Sequence, residues 1–193
     1  MKVLGIVCSP RKEGNTEILV REALEAVEEA GSETELVLVA DKSIAPCDGC
    51  GACMENGVCK VKDDMQGIYR QLELADGVIL GTPVYFLNVS AQAKAVMDRT
   101  YALLRTRGLR GKVAAALVAV RRVGGGQVLS LLYSYFSAHR MVIAGGGIGY
   151  GRGKGEVRQG VGGSPTLSAL EEARAVGRNV VRMMEQLSRG RRQ

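Results

Sequence analysis

The 193-residue chain lacks any continuous apolar stretch of about eighteen residues, the length at which a segment becomes a candidate membrane-spanning helix. The first apolar run breaks at Pro10-Arg11, without the long apolar core or the small-residue cleavage site of a signal peptide. We therefore expect a cytoplasmic protein that has no membrane partner.

Aromatic residues are also scarce, with no tryptophan, two phenylalanines and six tyrosines. Surfaces that bind nucleic acid combine a basic face with interleaved aromatics, and no aromatic stripe accompanies the arginines of this chain. We therefore expect no nucleic-acid partner, although the net charge is +6. Part of that charge lies in residues 189–193, which predict a solvated chain end. The remaining excess suits phosphate groups or an acidic protein partner.

Four of the five cysteines fall within one short run, at Cys47, Cys50, Cys53 and Cys59. In a reducing cytoplasm such a cluster indicates metal or redox chemistry more often than disulfide bonds. The two short initial spacings are typical of ferredoxin loops that place three thiolates on one [4Fe–4S] cube, and the fourth cysteine lies close enough to complete it. Zinc and free or disulfide-bonded thiols remain alternatives. The fifth cysteine, Cys8, is predicted to be a buried small residue at the end of a strand.

Apolar strand-like segments alternate with helix-like segments along the chain, as in βαβ units. This pattern predicts an α/β fold in one domain spanning residues 1–193, with a doubly wound five-stranded parallel sheet and an inserted cluster-binding loop at 47–59. The predicted strands are 2–8, 34–40, 77–81, 112–120 and 141–144. The predicted helices are 15–30, 63–74, 90–106, 127–139 and 166–187. Ten glycines between positions 145 and 163 predict a long irregular loop.

The segment after the first predicted strand combines hydroxyls, an amide and cations with the start of a helix. In an open parallel sheet, ligands bind beyond the carboxyl ends of the strands. Exposed N–H groups and the helix dipole favour an anion there, so Ser9, Arg11, Asn15 and Thr16 are candidate phosphate-binding residues. The segment matches neither the Walker nor the dinucleotide glycine pattern. The alternative is an ordinary turn in which Asn15 caps the helix.

The segments after the third and fourth predicted strands suit a flat ligand. Pro83, Val84, Tyr85 and Phe86 offer apolar and aromatic groups beside backbone amides. Glycines in 124–126, just before Gln127, would let the backbone approach a planar ring closely. Together with the phosphate segment, these loops indicate FMN.

Two further polar features have structural interpretations. His139, the only histidine, is predicted to cap a helix end, where a cation is favourable. Asp63 and Asp64 are predicted to stabilise a helix start and not to form an acid–base pair, since adjacent helical side chains point apart.

The chain resembles the iron–sulfur flavoproteins, a branch of the flavodoxin-like NADPH-dependent FMN reductases. The similarity covers residues 1 to about 145 and rests on motifs that share their order with that family. These are Ser9-Pro10-Arg11 with Gly14-Asn15-Thr16, the four-cysteine run with Asp63-Asp64-Met65, Thr82 to Phe86, Ala91 to Ala95, Asp98-Arg99, and Gly124 to Gln127.

The resemblance implies a flavodoxin-like fold with one FMN and one [4Fe–4S] cluster per subunit of a homo-oligomer, a dimer or tetramer. Ser9, Arg11, Asn15 and Thr16 would hold the phosphate. Residues 83–86 would line the isoalloxazine, and Gly125 and Gln127 would close the site.

The function implied is electron transfer from a one-electron donor such as an acidic ferredoxin, through the cluster to FMN and on to a small-molecule acceptor. One alternative is an NAD(P)H-dependent FMN, quinone or nitroaromatic reductase whose cysteine loop is structural or binds zinc. A third possibility is a redox-sensing or metal-binding interaction module that has no flavin.

Overall fold

Five parallel strands form one sheet in the order β2-β1-β3-β4-β5. The computed structural model describes residues 1–159 and 168–190. The strands are β1 (Lys2–Val7), β2 (Glu33–Leu38), β3 (Gly77–Pro83), β4 (Val113–Val120) and β5 (Val142–Tyr150). This order confirms the predicted doubly wound sheet, because the chain moves outward from β1 to one edge and then returns to build the other.

Helices connect the strands. They are α1 (Asn15–Glu29), α2 (Cys53–Asn56), α3 (Met65–Leu74), α4 (Ala91–Arg99), α5 (Tyr101–Thr106), α6 (Gly125–Ala138) and α7 (Ala169–Gly190). Short 3-10 turns cover Val39–Asp41 and Glu156–Gln159. Within the described ranges, no helix is both long enough and apolar enough to cross a bilayer.

Helices cover the sheet on both faces. Helices α1 and α7 pack on one face around Ile79 and Leu117, and α3 to α6 pack on the other around Leu80 and Phe136. Strand β4 is buried along its whole length, which explains its uninterrupted apolar sequence. The chain crosses to opposite sides of the sheet after β1 and β3, which are neighbouring strands, so a crevice beyond their carboxyl ends is open for a ligand.

The prediction of an irregular loop over residues 145–163 was wrong for its first part, because Gly145 to Gly149 belong to β5. This strand pairs with β4 from Val113↔Val142 to Val120↔Tyr150, with one bulge between Ala114 and Ala115. Glycine is required there by close packing: a Cβ on Gly146 would lie 2.6 Å from the Ala116 carbonyl oxygen. Residues 160–163 of the predicted loop lie outside the described residues.

The predicted helix over residues 90–106 is divided at Thr100. This residue ends α4 and precedes α5, and its hydroxyl donates to the Met97 carbonyl at 2.6 Å. The predicted start of the last helix at Thr166 lies outside the described residues, while its continuation forms α7.

Candidate functional site

The loops after β1, β3, β4 and β5 enclose one cavity of about 310 Å³ at the carboxyl edge of the sheet. Such a volume is at the lower end of the range for small-molecule sites. The lining combines predicted site residues with others. It consists of Ser9, Arg11, Gly14, Asn15, Thr16, Pro83, Val84, Tyr85, Ala119, Val120, Arg121, Gly151, Arg152, Gly153 and Lys154.

One end of this cavity is built for an anion. Ser9 and Thr16 are buried polar residues there, and the Ser9 hydroxyl oxygen accepts a hydrogen bond from the Arg11 N–H at 3.1 Å, which shapes the turn. Gly14 precedes α1 without any side-chain cap, so the alternative in which Asn15 caps the helix is wrong. The first amides of α1 are therefore available to a phosphate.

Asn15 joins this turn to the loop that follows β5. Its amide nitrogen donates to the Gly153 carbonyl at 2.9 Å, and its amide oxygen accepts from the Gly155 N–H at 2.9 Å. The loop brings Arg152 and Lys154 to the cavity beside Arg11. Sequence reasoning missed these two cations, and their only signal was their position among glycines after a strand.

The opposite wall is apolar. Pro83, Val84 and Tyr85 line it as predicted, and the Val84 N–H donates to the Ala119 carbonyl at 2.8 Å, which ties this loop to β4. Phe86 does not line the cavity and is fully exposed, with φ 50° at the tip of a tight turn.

The predicted closing residues, Gly125 and Gln127, are also not brought to the cavity wall. Gly125 is buried, and a Cβ on it would lie 2.9 Å from Ile148 Cγ2, so its role here is packing. Gln127 is exposed on the first turn of α6. The neighbouring Gly124 has φ 95°, and a Cβ there would lie 2.9 Å from Val84 Cγ1. Gly124 thus permits close contact of this backbone with the apolar wall, and its predicted approach to a planar ring stays a prediction.

The four clustered cysteines line a second pocket, of about 210 Å³, after β2. Gly49, Gly51 and Gly57 adopt positive φ, which curls the loop around this pocket. Among the described residues no three thiol, imidazole or carboxylate groups converge on the position of a single metal ion. A cubane holds each thiolate on a separate iron, so four thiols around one pocket fit it better than they fit one tetrahedral zinc ion.

An arginine anchors the cysteine loop from within. The guanidinium of Arg99 pairs with the Asp63 carboxylate at 2.7 and 3.0 Å, and the Ala45 and Met65 N–H groups also donate to Asp63. Burial would raise the pKa of Asp63, but these hydrogen bonds outweigh it and lower the pKa. Of the two aspartates predicted to stabilise the start of α3, Asp63 contacts the Met65 N–H, although its main partner is Arg99. Asp64 does not cap the helix with its side chain, which accepts a hydrogen bond from the Ser43 N–H instead.

The chain is similar to known proteins whose names fit both the cavity at the sheet edge and the cysteine pocket. Residues 1–153 match the family described as NADPH-dependent FMN reductase. An iron–sulfur flavoprotein of Methanocaldococcus jannaschii is 41% identical over 195 residues, covering 96% of this chain and 98% of the relative. Another from Methanosarcina thermophila is 40% identical over 148 residues, covering 75% of this chain and 78% of the relative.

The chain belongs to the iron–sulfur flavoproteins of the NADPH-dependent FMN reductase family.

Solved structures share the fold of this flavoprotein. RosB, solved with bound 8-demethyl-8-formylriboflavin-5'-phosphate, superposes with a TM-score of 0.79 at 18% identity, covering 98% of this chain and 81% of RosB. An archaeal flavodoxin gives a TM-score of 0.62 at 14% identity, covering 96% of this chain and 99% of the flavodoxin. The predicted family and flavodoxin-like fold are therefore confirmed.

Two titratable residues of this flavoprotein lie in its core, outside both pockets. Cys8 is completely buried, as predicted, and burial raises its pKa to about 12. His139 lies at the end of α6 as predicted, but burial lowers the pKa of His139 and so disfavours its cationic form, and its Nε2 lies 3.1 Å from the Thr100 hydroxyl.

Proposed function

We propose that this flavoprotein passes electrons from a one-electron protein donor such as ferredoxin, by way of a [4Fe–4S] cluster and FMN, to a small-molecule acceptor. The observation that carries the proposal is the presence, in one chain, of a four-cysteine pocket and a separate cavity with an anion-binding end and an apolar wall. The names of its relatives support the same pair of cofactors. When bound, the cluster would supply one-electron transfer and the flavin would link one-electron to two-electron chemistry.

The residues of the first cavity divide into two roles. Ser9, Thr16 and the first amides of α1 would donate to the phosphate, with Arg11 balancing its charge. Pro83, Val84 and Tyr85 would cover the isoalloxazine and exclude water from one side of it. Asn15, first predicted to bind the phosphate itself, would position the cations at 152 and 154 through its hydrogen bonds to their loop.

The second pocket would hold the cluster on Cys47, Cys50, Cys53 and Cys59. Burial raises the pKa of Cys53, and the charges of Cys59, Cys47 and Cys50 add to that rise, which is consistent with four thiols close together. Iron, when bound, would hold all four as thiolates, and its positive charge would offset their mutual repulsion.

The cavity chemistry favours passing electrons over abstracting protons. Among the described residues the cavity lining contains no carboxylate and no imidazole, the usual side chains for proton transfer near neutral pH. Its cations Arg11, Arg121, Arg152 and Lys154 would instead offset the charge of the phosphate, while the net charge of +6 on the whole chain would favour an acidic donor. We further propose that residues 1–193 act as one flavodoxin-like domain in a cytoplasmic homo-oligomer.

The identity of the donor can be tested by anaerobic stopped-flow absorbance on the purified protein with both cofactors bound. We expect reduced ferredoxin to reduce the FMN much faster than NADPH or NADH does, and rising ionic strength to slow that step. Cys53→Ser should abolish it, whereas Cys8→Ala, which changes the cysteine outside the pocket, should not. Rapid reduction by NADPH that survives loss of the cluster would support the hydride-using reductase instead.

A further inference from the structure

Arg99 is the largest fully buried side chain among the described residues, and it lies against the cysteine pocket. Its side chain is 1% exposed, and that of its partner Asp63 is 12% exposed. Asp63 does not line the pocket, but Arg99 does. The ion pair is therefore oriented, with its positive end toward the thiols and its negative end away from them.

The guanidinium also ties together the two ends of the cysteine loop. Nη1 donates to the Ala45 carbonyl at 2.9 Å, before the first cysteine, and Nη2 donates to the Val61 carbonyl at 3.3 Å, after the last. One rigid planar group thus fixes the distance between the two places where the loop joins the fold. A lysine has no planar fork with which to make this set of bonds.

One donor of the guanidinium is left over. Arg99 Nε is buried and finds no hydrogen-bond partner among the described residues. Cys59 lines the same pocket as Arg99, two residues before the Val61 carbonyl that Nη2 contacts. Buried donors are nearly always satisfied, and a sulfur-rich group in the adjoining pocket would offer the missing acceptor.

We propose that Arg99 is a positioning residue for the cluster, which holds the loop ends and donates a hydrogen bond to a cluster sulfur on the Cys59 side, thereby raising the reduction potential. This inference rests on the proposed function. Accepting one electron from the protein donor adds one negative charge to the cluster, and both the N–H group and the nearby positive charge favour that reduced form. Arg99 itself makes and breaks no covalent bond in this step.

The test is a redox titration of the cluster in the holoprotein, followed by its electron paramagnetic resonance signal under anaerobic conditions, with iron, sulfide and FMN counted per chain. Arg99→Gln should lower the midpoint potential so that the ratio of oxidised to reduced cluster rises about tenfold at a fixed potential, a shift of about 59 mV for one electron. Asp63→Asn removes the opposing charge and should move the potential upward. Arg99→Lys keeps the charge but lacks the Nε donor, so its potential should lie between those of Arg99→Gln and the wild type.

Arg105→Gln is the matched control, because it removes an exposed arginine from α5, the helix that packs against the cysteine helix α2. Solvent screens that charge, so the potential should not move. If Arg99→Gln fails to hold iron, an upward shift in Asp63→Asn together with a downward shift in Arg99→Lys still decides the question.

Different results would contradict the role of Arg99 and the presence of the cluster. Unchanged potentials in Asp63→Asn and in any Arg99 variant that retains iron would overturn the role of Arg99 alone. A wild-type protein without iron and sulfide would overturn the cluster itself, and with it the proposed function.

Discussion

The amide oxygen of Asn15 accepts a hydrogen bond from the Gly155 N–H at 2.9 Å, across 140 positions of sequence. Together with the bond from its amide nitrogen to Gly153, this contact fastens the loop after β5 to the first turn of α1. The phosphate end of the cavity therefore depends on two distant segments being held in register.

This relationship predicts the effect of Asn15→Ala. We expect FMN affinity to fall by roughly 1–3 kcal/mol, because two hydrogen bonds of about 0.5–1.5 kcal/mol each are lost. Backbone amides of residues 151–157 should also exchange with deuterium faster. Asn179→Ala, at an exposed position of α7, is the control. Unchanged exchange in that loop would contradict the fastening role.

The second prediction concerns the cysteines. Serine at any of Cys47, Cys50, Cys53 or Cys59 should remove most iron and sulfide while FMN remains bound, since the two pockets do not share lining residues. Cys8→Ala should keep both cofactors. Full iron content in two separate ligand variants would refute the assignment, and stoichiometric zinc would favour the alternative.

The third prediction separates phosphate binding from ring binding. Arg11→Ala should weaken FMN by about 1.5–3 kcal/mol, the range for hydrogen bonds to charged groups, and leave riboflavin affinity nearly unchanged. Arg21→Ala is the control, because Arg21 is outside the cavity and pairs with Glu17. Equal losses for FMN and riboflavin in a fluorescence titration would show that Arg11 does not contact the phosphate.

The fourth prediction is a pH dependence caused by His139. Burial lowers its folded-state pKa below the ordinary value of 6.5, so the unfolded chain binds the proton more readily. The contribution of His139 to stability is thus complete above pH 6.5 and is lost as the pH falls through that value toward the lower folded-state pKa. Urea unfolding of wild type and His139→Gln between pH 7.5 and 5 should show a smaller decline for the variant. Parallel declines would contradict this.

The fifth prediction tests the strained turn at Phe86. Phe86 and Leu87 both have positive φ, 50° and 64°, which costs bulky residues roughly 1–2 kcal/mol each. Phe86→Asn should therefore raise the free energy of unfolding of the apoprotein by up to about 1 kcal/mol, because asparagine tolerates this conformation. The same variant tests whether Phe86 covers the flavin ring, as the sequence pattern predicted. A large loss of riboflavin affinity would support that role, and its absence would support the exposed position.

The features that could be predicted from sequence are local. The cysteine spacing, the turn after β1 and the apolar run of β4 each lie within thirteen residues, and periodicity or ligand spacing identifies them. The predicted strand at 141–144 is shorter than β5 because the glycines that follow it indicated a loop. In the structure these glycines leave room for neighbouring side chains, such as Leu19 and Val157 around Gly149. A sequence pattern cannot reveal how closely a neighbouring segment will pack.

The pair Arg99 and Asp63 shows a different limit. The two residues are 36 positions apart, and each has an ordinary local explanation, one at the end of α4 and the other before α3. Only the packing of α4 beneath the loop makes them partners. The position of the loop after β5 could not be predicted for the same reason, because Asn15, which holds it by hydrogen bonds, is distant in sequence.

The anchoring of the cysteine loop by Arg99 has a consequence for how the protein is made. Arg99 lies 40 residues after Cys59, so all four cysteines are synthesised before the side chain that fixes their loop. At about 5–20 residues per second, this interval lasts on the order of several seconds. During that time the thiols would lack the contacts with Arg99 that hold the two ends of their loop, and other thiophilic ions could compete for them. Binding of iron and sulfide in preference to zinc would then depend on their delivery after α4 has packed against the cysteine loop. The order in which the chain is synthesised would thus affect which metal the cysteines bind.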